Sequence, residues 1–462
     1  MNKRIVEKLW LVANKMRGTF EISELCKVMI YSLLLKFIEL KGKTGESDGN
    51  ILKVYDEKFS VGYLALTYGK MIKALDVVKY VTVIEREFSL DDYIIANEFG
   101  RLLERADDNH IKVIFEAMEE IGFENEKQLY EVAILLLNKL AYASGRINVE
   151  AFTNFSLSRL EAKLLDCEEG MLVYDGFCGC GLSVNEVADG KGIVYMQDIN
   201  VSTVALASVI TLLKESKVGE IRCGDSQLNP LSDRKYDRIV CEPPFMPKYD
   251  NDYFISMPQG NCIYQGSLNS ESLALRHVLA HLKDDGVATV LVPMGMLFKS
   301  GKMADIREGL VKNYIDAVIE LPAGVVPNTG VLTALLVLKM KKVDKSIYMI
   351  NAKEFFEKAD RSQVCISEEN IDKIVELYKN RENVEGISRN TEIEDIAENG
   401  FNLCTTQYVL LSPEDTIVIE DIATFERKYN RLAHELVEID EKLDEIRKRW
   451  IKKSNAVGER IG

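Results

Sequence analysis

Apolar residues recur at three- and four-residue steps through the first third of the chain. Leu9, Val12 and Met16 begin the series, and Leu25, Val28, Met29, Leu33 and Phe37 continue it. That period places them on one face of amphipathic helices. A second helical group is predicted over 102–118 and 128–143. Proline is absent from residues 1–145, which fits helices joined by polar loops such as 42–50. Beyond Met171 the pattern changes. Short apolar runs at 172–174, 193–196, 221–223, 238–241, 287–292, 317–319 and 335–338 read as strands, with helical segments such as 202–214 and 270–282 between them. Strands alternating with helices imply an α/β fold with a mostly parallel sheet covered on both faces. Residues 350–420 read as polar helices. The last segment carries Ile422, Phe425, Tyr429, Leu432, Leu436, Ile439, Leu443, Ile446 and Trp450 in alternating steps of three and four. Such a seam predicts a coiled-coil helix that meets a partner helix. The division is thus a helical domain over 1–145, an α/β domain over 146–410 and a helical, partner-binding segment over 411–462.

Composition narrows the class. A chain of 462 residues supports two or three sizeable cores, and 47% hydrophobic with 28% charged residues is ordinary for a soluble globular protein. No apolar run reaches the length of a membrane span, and the N-terminus is charged where a signal peptide needs an apolar stretch. Nine cysteines without disulfide-framework spacing point to a reduced, cytoplasmic protein without a membrane partner. A net charge of −15 argues against strong DNA binding by this chain alone, because phosphate contacts need clustered Lys and Arg.

The chemistry-bearing residues fall where predicted strands end. Asp175-Gly176-Phe177-Cys178-Gly179-Cys180-Gly181 follows the first strand, Asp198 the second, Asp225 the third, and Glu242-Pro243-Pro244-Phe245 the fourth. In an open α/β sheet the carboxyl ends of the strands are where ligands bind, and an acid after the second strand suits ribose hydroxyls. The glycine turn and Asp198 would also serve a dinucleotide dehydrogenase. The Pro-Pro-Phe run separates the readings, since hydride transfer has no use for it, whereas a flipped base needs an aromatic face and fixed backbone acceptors. His277 and His281 stand four apart on a predicted helix but lack the zincin glutamate. Cys178 and Cys180 lack a second cysteine pair, so no metal is assigned.

These residues resemble the S-adenosylmethionine-dependent DNA N6-adenine methyltransferases, and more narrowly the modification subunits of type I restriction-modification systems. The resemblance extends to Leu9-Trp10-Leu11-Val12-Ala13-Asn14-Lys15-Met16-Arg17-Gly18, to the stretch from Glu320 to Gly330, and to Gly400-Phe401-Asn402-Leu403. It implies a class I methyltransferase sheet with one reversed strand, and S-adenosylmethionine held by Thr153, Asp175, Phe177, Cys178, Gly179, Gly181, Asp198 and Asp225. It implies catalysis at Glu242, Pro243, Pro244 and Phe245. It also implies DNA reached through a complex, with a specificity subunit on the terminal helix; a second modification subunit and a restriction subunit are the further partners such a complex admits. The family motif has Asn where this chain has Glu242, and Pro where it has Asn154. Two readings therefore stay open: a methylating subunit, and a catalytically silent one with a role in assembly or regulation.

Overall fold

The computed structural model describes residues 2–15, 21–44, 49–90, 93–143, 154–245, 270–327, 329–342, 345–360 and 363–409. Thr153 and the heptad run at 422–450 lie outside the described residues. Residues Met1–Val409 are one compact unit.

The N-terminal region is helical: α1 (Asn2–Lys15), α2 (Ile22–Thr44), α3 (Gly49–Val54), α4 (Val61–Thr67), α5 (Ala74–Glu87), α6 (Ile94–Arg105), α7 (Asp108–Ile121) and α8 (Glu126–Ala143). The expected helix over 102–118 is two helices. Asp107 breaks it, because its side chain accepts from the Asn109 N–H and caps α7. The central helix α2 is buried almost all round from Leu25 to Glu39, which marks a helix enclosed by its neighbours. Its charged residues are paired: Lys36 donates to Glu39 and Glu119.

After α9 (Phe155–Leu165) the α/β pattern takes over. The strands are β1 (Leu172–Asp175), β2 (Ile193–Asp198), β3 (Lys217–Cys223), β4 (Tyr236–Cys241), β5 (Leu282–Pro293), β6 (Ile315–Glu320) and β7 (Thr333–Lys339). These match the seven apolar runs. Three elements were not foreseen: β8 (Ser346–Asn351), the β9–β10 hairpin (Glu357–Asp360, Gln363–Cys365) and β11 (Ser388–Glu392). Residues 350–409 therefore are not only helical, although helices Glu368–Asn380 and Ile393–Glu398 are present. The large sheet runs β11-β8-β6-β7-β5-β4-β1-β2-β3. Pairing is parallel except that β7 opposes both β5 and β6 and β11 opposes β8. The expected reversed strand is thus β7, seated between two strands rather than at an edge.

Helix α10 (Leu182–Ala188) follows the glycine turn and α11 (Val201–Leu213) follows β2. Every residue of α11 from Thr203 to Leu213 is buried. It packs on β2 and β3 and also against α2, α6 and α8, so the helical region and the sheet share a core. Polar ties reinforce the junction: Tyr130 on α8 donates to Glu186 on α10 at 2.6 Å, and Lys27 on α2 donates to Ser202 on α11 at 2.6 Å.

Polar contacts hold the two further family-like elements in the fold. Glu320, at the end of β6 and fully buried, accepts from the Thr405 N–H at 2.7 Å and pairs with Lys353. The Leu403 N–H donates to the Leu297 carbonyl at 2.9 Å, and Arg307 donates to the Phe401 carbonyl.

Candidate functional site

Strand order reverses between β1 and β4: the chain runs outward through β2 and β3, then returns to place β4 on the other side of β1. A crevice opens at the carboxyl ends of strands at such a point. The glycine turn leaves β1 there and the Glu242-Pro243-Pro244-Phe245 run leaves β4.

Gly181 closes the turn with φ +73 and sits where a side chain would meet Ala207 of α11 at 3.0 Å. A Cβ at Gly176 would come within 2.7 Å of the Tyr174 hydroxyl and 2.8 Å of His277 Nε2. Both positions need glycine for close approach of backbone to packed groups. The Cys178 and Cys180 side chains are buried under the turn, and burial pushes both thiols up, so neither acts as a thiolate.

Asp175 is 2% exposed and its Oδ1 accepts from the Phe177 N–H at 2.9 Å. Burial holds its carboxyl well above the usual range; the Phe177 bond opposes this, and Glu242 and Asp198 push it further up. Asp198 accepts from the Gly179 N–H at 2.9 Å and from the Asn200 N–H at 2.8 Å. It thus already braces the glycine turn across the two strands. Asp225 accepts from the Gln227 and Leu228 N–H groups at 2.9 and 3.1 Å.

Glu242 is half-buried, and Ser183 Oγ on α10 donates to its Oε1 at 2.5 Å. Pro243 and Pro244 follow, half-buried, and Phe245 packs at the margin of the core cluster that includes Val325 and Leu291. Among the candidate residues, Asp175, Phe177, Cys178, Gly179, Gly181, Asp198, Asp225, Glu242 and the Pro-Pro-Phe run all lie along the carboxyl ends of β1 to β4. Asn154, where the family has proline, caps α9: its Oδ1 accepts from the Ser156 N–H and its Nδ2 donates to the Val364 carbonyl.

Two site residues escaped the sequence reading, Ser183 and Glu161. Glu161 is fully buried on α9 and accepts from Thr289 Oγ1 at 3.2 Å. Its signal was its place: it stands four residues after Leu157 and beside Leu160, on the apolar stripe of its helix. His277 and His281 pack against Tyr174. His277 is buried against the Tyr174 hydroxyl at 2.9 Å, and burial lowers its basicity so that it stays neutral. No group of metal-ligating side chains occurs among the described residues, and no described helix is long and apolar enough to cross a membrane.

The cluster of carboxyl groups at these strand ends suits a ligand that brings positive charge, and the glycine turn suits one that lies against backbone. Comparison with known proteins agrees. Residues 127–416, more than half of the chain, match the model of the N-6 DNA Methylase family. The chain belongs to the N-6 DNA methylase family. The family's methyl donor is S-adenosylmethionine. A curated relative, the type I restriction enzyme MjaVII methylase subunit of Methanocaldococcus jannaschii, is 31% identical over 317 residues, covering 62% of this chain and 55% of that protein. The MpnII methylase subunit of Mycoplasma pneumoniae is 25% identical over 302 residues, covering 59% and 55%. The chain spans about half the length of several curated relatives it matches. In fold it resembles the type I restriction-modification methyltransferase subunit of Streptococcus thermophilus, with TM-score 0.73 and 20% identity over 89% of this chain and 100% of that one. A modification subunit from Vibrio vulnificus superposes with TM-score 0.64 at 17% identity, covering 86% of this chain and 92% of that one.

Proposed function

We propose that the chain is the methyl-transferring subunit of a type I restriction-modification-like complex, acting on N6 of an adenine flipped out of DNA. The observation that carries this reading is the carboxylate of Glu242 at the carboxyl end of β4, beside Asp175 at that of β1. When bound, S-adenosylmethionine supplies an electrophilic methyl group on a sulfonium. The chain's residues do the rest. Asp175, Phe177, Cys178, Gly179 and Gly181 form the wall against the donor, Asp198 accepts from its ribose, Asp225 reads its adenine ring and Thr153 steadies its methionine end. Phe245 stacks on the flipped base. The Pro243 carbonyl and Glu242 accept from the two hydrogens of the exocyclic amine, which raises its nucleophilicity and favours the positive charge developing on nitrogen. With the donor bound, it would supply the methyl group and leave as a neutral thioether, and the Glu242 carboxylate would take up the amine proton that the transfer releases.

The net charge of −15 supports DNA affinity borrowed from a partner. That partner is a specificity subunit docked on the heptad run at 422–450, in the cytoplasm; a restriction subunit and a second modification subunit complete such an assembly. The silent-subunit reading draws support from Ser183, which engages Glu242 within the protein itself. The test is calorimetric titration of the chain with S-adenosylmethionine, followed by detection of N6-methyladenine in DNA treated with the assembled complex. Binding and product are expected. A folded chain that takes up no donor removes the reading.

A further inference from the structure

We propose that Glu161 is a positioning residue: one proton shared between Glu161 and Glu242 fixes the Glu242 carboxylate where it accepts from the substrate amine. The inference rests on the reading above and deepens it. Glu161 lies on α9 and is fully buried. Its Oε1 accepts from Thr289 Oγ1 of β5 at 3.2 Å, while its Oε2 is buried with no donor to accept from. Two hydrogen-bonded paths bring its carboxyl group toward that of Glu242: its partner Thr289 stands opposite Val240, two residues before Glu242, and Ser158, one turn earlier on α9, meets Ser183, which donates to Glu242. Two ionised carboxylates in that arrangement would repel at short range in a dry setting, whereas a single proton turns the contact into a strong hydrogen bond.

The surroundings favour that proton. The Glu161 carboxyl is held well above its usual range, first by burial, then by Glu242 and by Asp175 on β1; Ser183 opposes this. The Cys241 thiol on β4 is pushed up by burial and by the same three acids, so it adds no charge of its own at neutral pH. Among the described residues no Lys or Arg pairs with Glu161. Ser183 Oγ donates to Glu242 and lies 2.8 Å from Ser158 Oγ on the helix that carries Glu161. Glu242 thus has a hydroxyl from α10 and an acid from α9 as neighbours. This offers a physical account of how the longer glutamate stands where a neutral amide is usual. Its extra methylene would displace the acceptor by roughly 1 Å, which uncorrected can cost on the order of 100-fold. A neutral Glu161 supplies the correction without adding a second negative charge.

The experiment compares wild type, Glu161→Gln and Glu161→Met in the full chain, each checked for folding by thermal unfolding. Infrared spectroscopy of the chain alone at neutral pH reads the carbonyl stretch of a protonated carboxylic acid. That band is expected to weaken in Glu161→Gln, while the contribution of Asp175 stays. An unchanged band overturns the proposal whatever the complex does with DNA. Methyl transfer by the assembled complex is expected to fall by about 100-fold in Glu161→Met. In Glu161→Gln, which keeps a neutral donor in place, it recovers to within about tenfold and loses the alkaline limb that wild type shows when the shared proton departs. Transfer unchanged in Glu161→Met overturns the positioning role. Absence of transfer in wild type with the band present supports the shared proton and counts against the methylase reading, so the two fail separately.

Discussion

Ser183 and Asp198 each do something that a list of motif residues does not foresee. Ser183 lies two residues past Gly181, which closes the turn, and donates to Glu242. A hydrogen bond to a charged group is worth about 1.5–3 kcal/mol. Ser183→Ala is therefore expected to slow methyl transfer by roughly ten- to a hundredfold, with affinity for S-adenosylmethionine little changed; parallel transfer assays and calorimetry check both. Weaker donor binding with an unchanged rate would contradict this. Asp198 is different, because its carboxylate braces the Gly179 N–H before any ligand arrives. Asp198→Ala should weaken donor binding by about ten- to a hundredfold and also lower the unfolding temperature. The motif positions were legible because glycines, acids and prolines at strand ends are diagnostic in sequence. Glu161 was not legible: a buried acid on an apolar helical stripe looks like a lapse in the pattern until its partner, eighty-one positions away, is seen beside it.

At the scale of elements, what periodicity made visible were the runs that bury both faces. β6 and β7 are buried almost throughout, and their apolar residues announced them. β11 is the opposite case. Its sequence Ser-Arg-Asn-Thr-Glu is polar, and it exists because β8 offers it an open edge to pair with. The start of α6 shows a second kind of hidden device. The Glu85 carboxylate on α5 accepts from the Ile95 and Ala96 N–H groups at 2.7 and 3.1 Å. Burial nevertheless raises its pKa from 4.5 to about 7, those two bonds opposing the rise. The folded chain thus holds a proton on Glu85 that the unfolded chain has released between these values. The resulting stability is complete below pH 4.5 and is lost as pH rises through 7. The loss is on the order of 3 kcal/mol. Glu85→Gln removes that dependence, so thermal unfolding of wild type and variant compared across pH 4.5 to 8 should diverge in slope at about this size. Parallel curves would contradict it.

For the molecule as a whole, the shared core around α11 decides how separable its parts are. The sequence reading divides the chain near residue 145, where the pattern turns from helical to alternating. The buried surface does not divide there, since Val204, Ala207 and Ile210 belong to the same cluster as Leu25, Phe99 and Leu136. Removing residues 1–145 would lay bare much of a buried, largely apolar helix, a surface that drives aggregation. That truncation is expected to be insoluble, or soluble only with lost cooperative unfolding; a well-behaved monomer with the wild-type unfolding temperature would contradict this. The heptad run at 422–450 poses the reverse case. Charged replacements at Leu436 and Leu443 should leave donor binding intact and abolish co-purification with a specificity subunit, because buried unpaired charge is costly. Retained co-purification would assign the seam to the chain's own fold.

The central claim is that Glu242 does the work usually given to an amide. The direct measurement is methyl transfer to DNA by the assembled complex, for wild type, Glu242→Asn and Glu242→Ala, with donor occupancy confirmed in each. Transfer by wild type that drops by about 100-fold in Glu242→Ala is the expected result. Silence in wild type with donor bound, and activity gained only in Glu242→Asn, would contradict it.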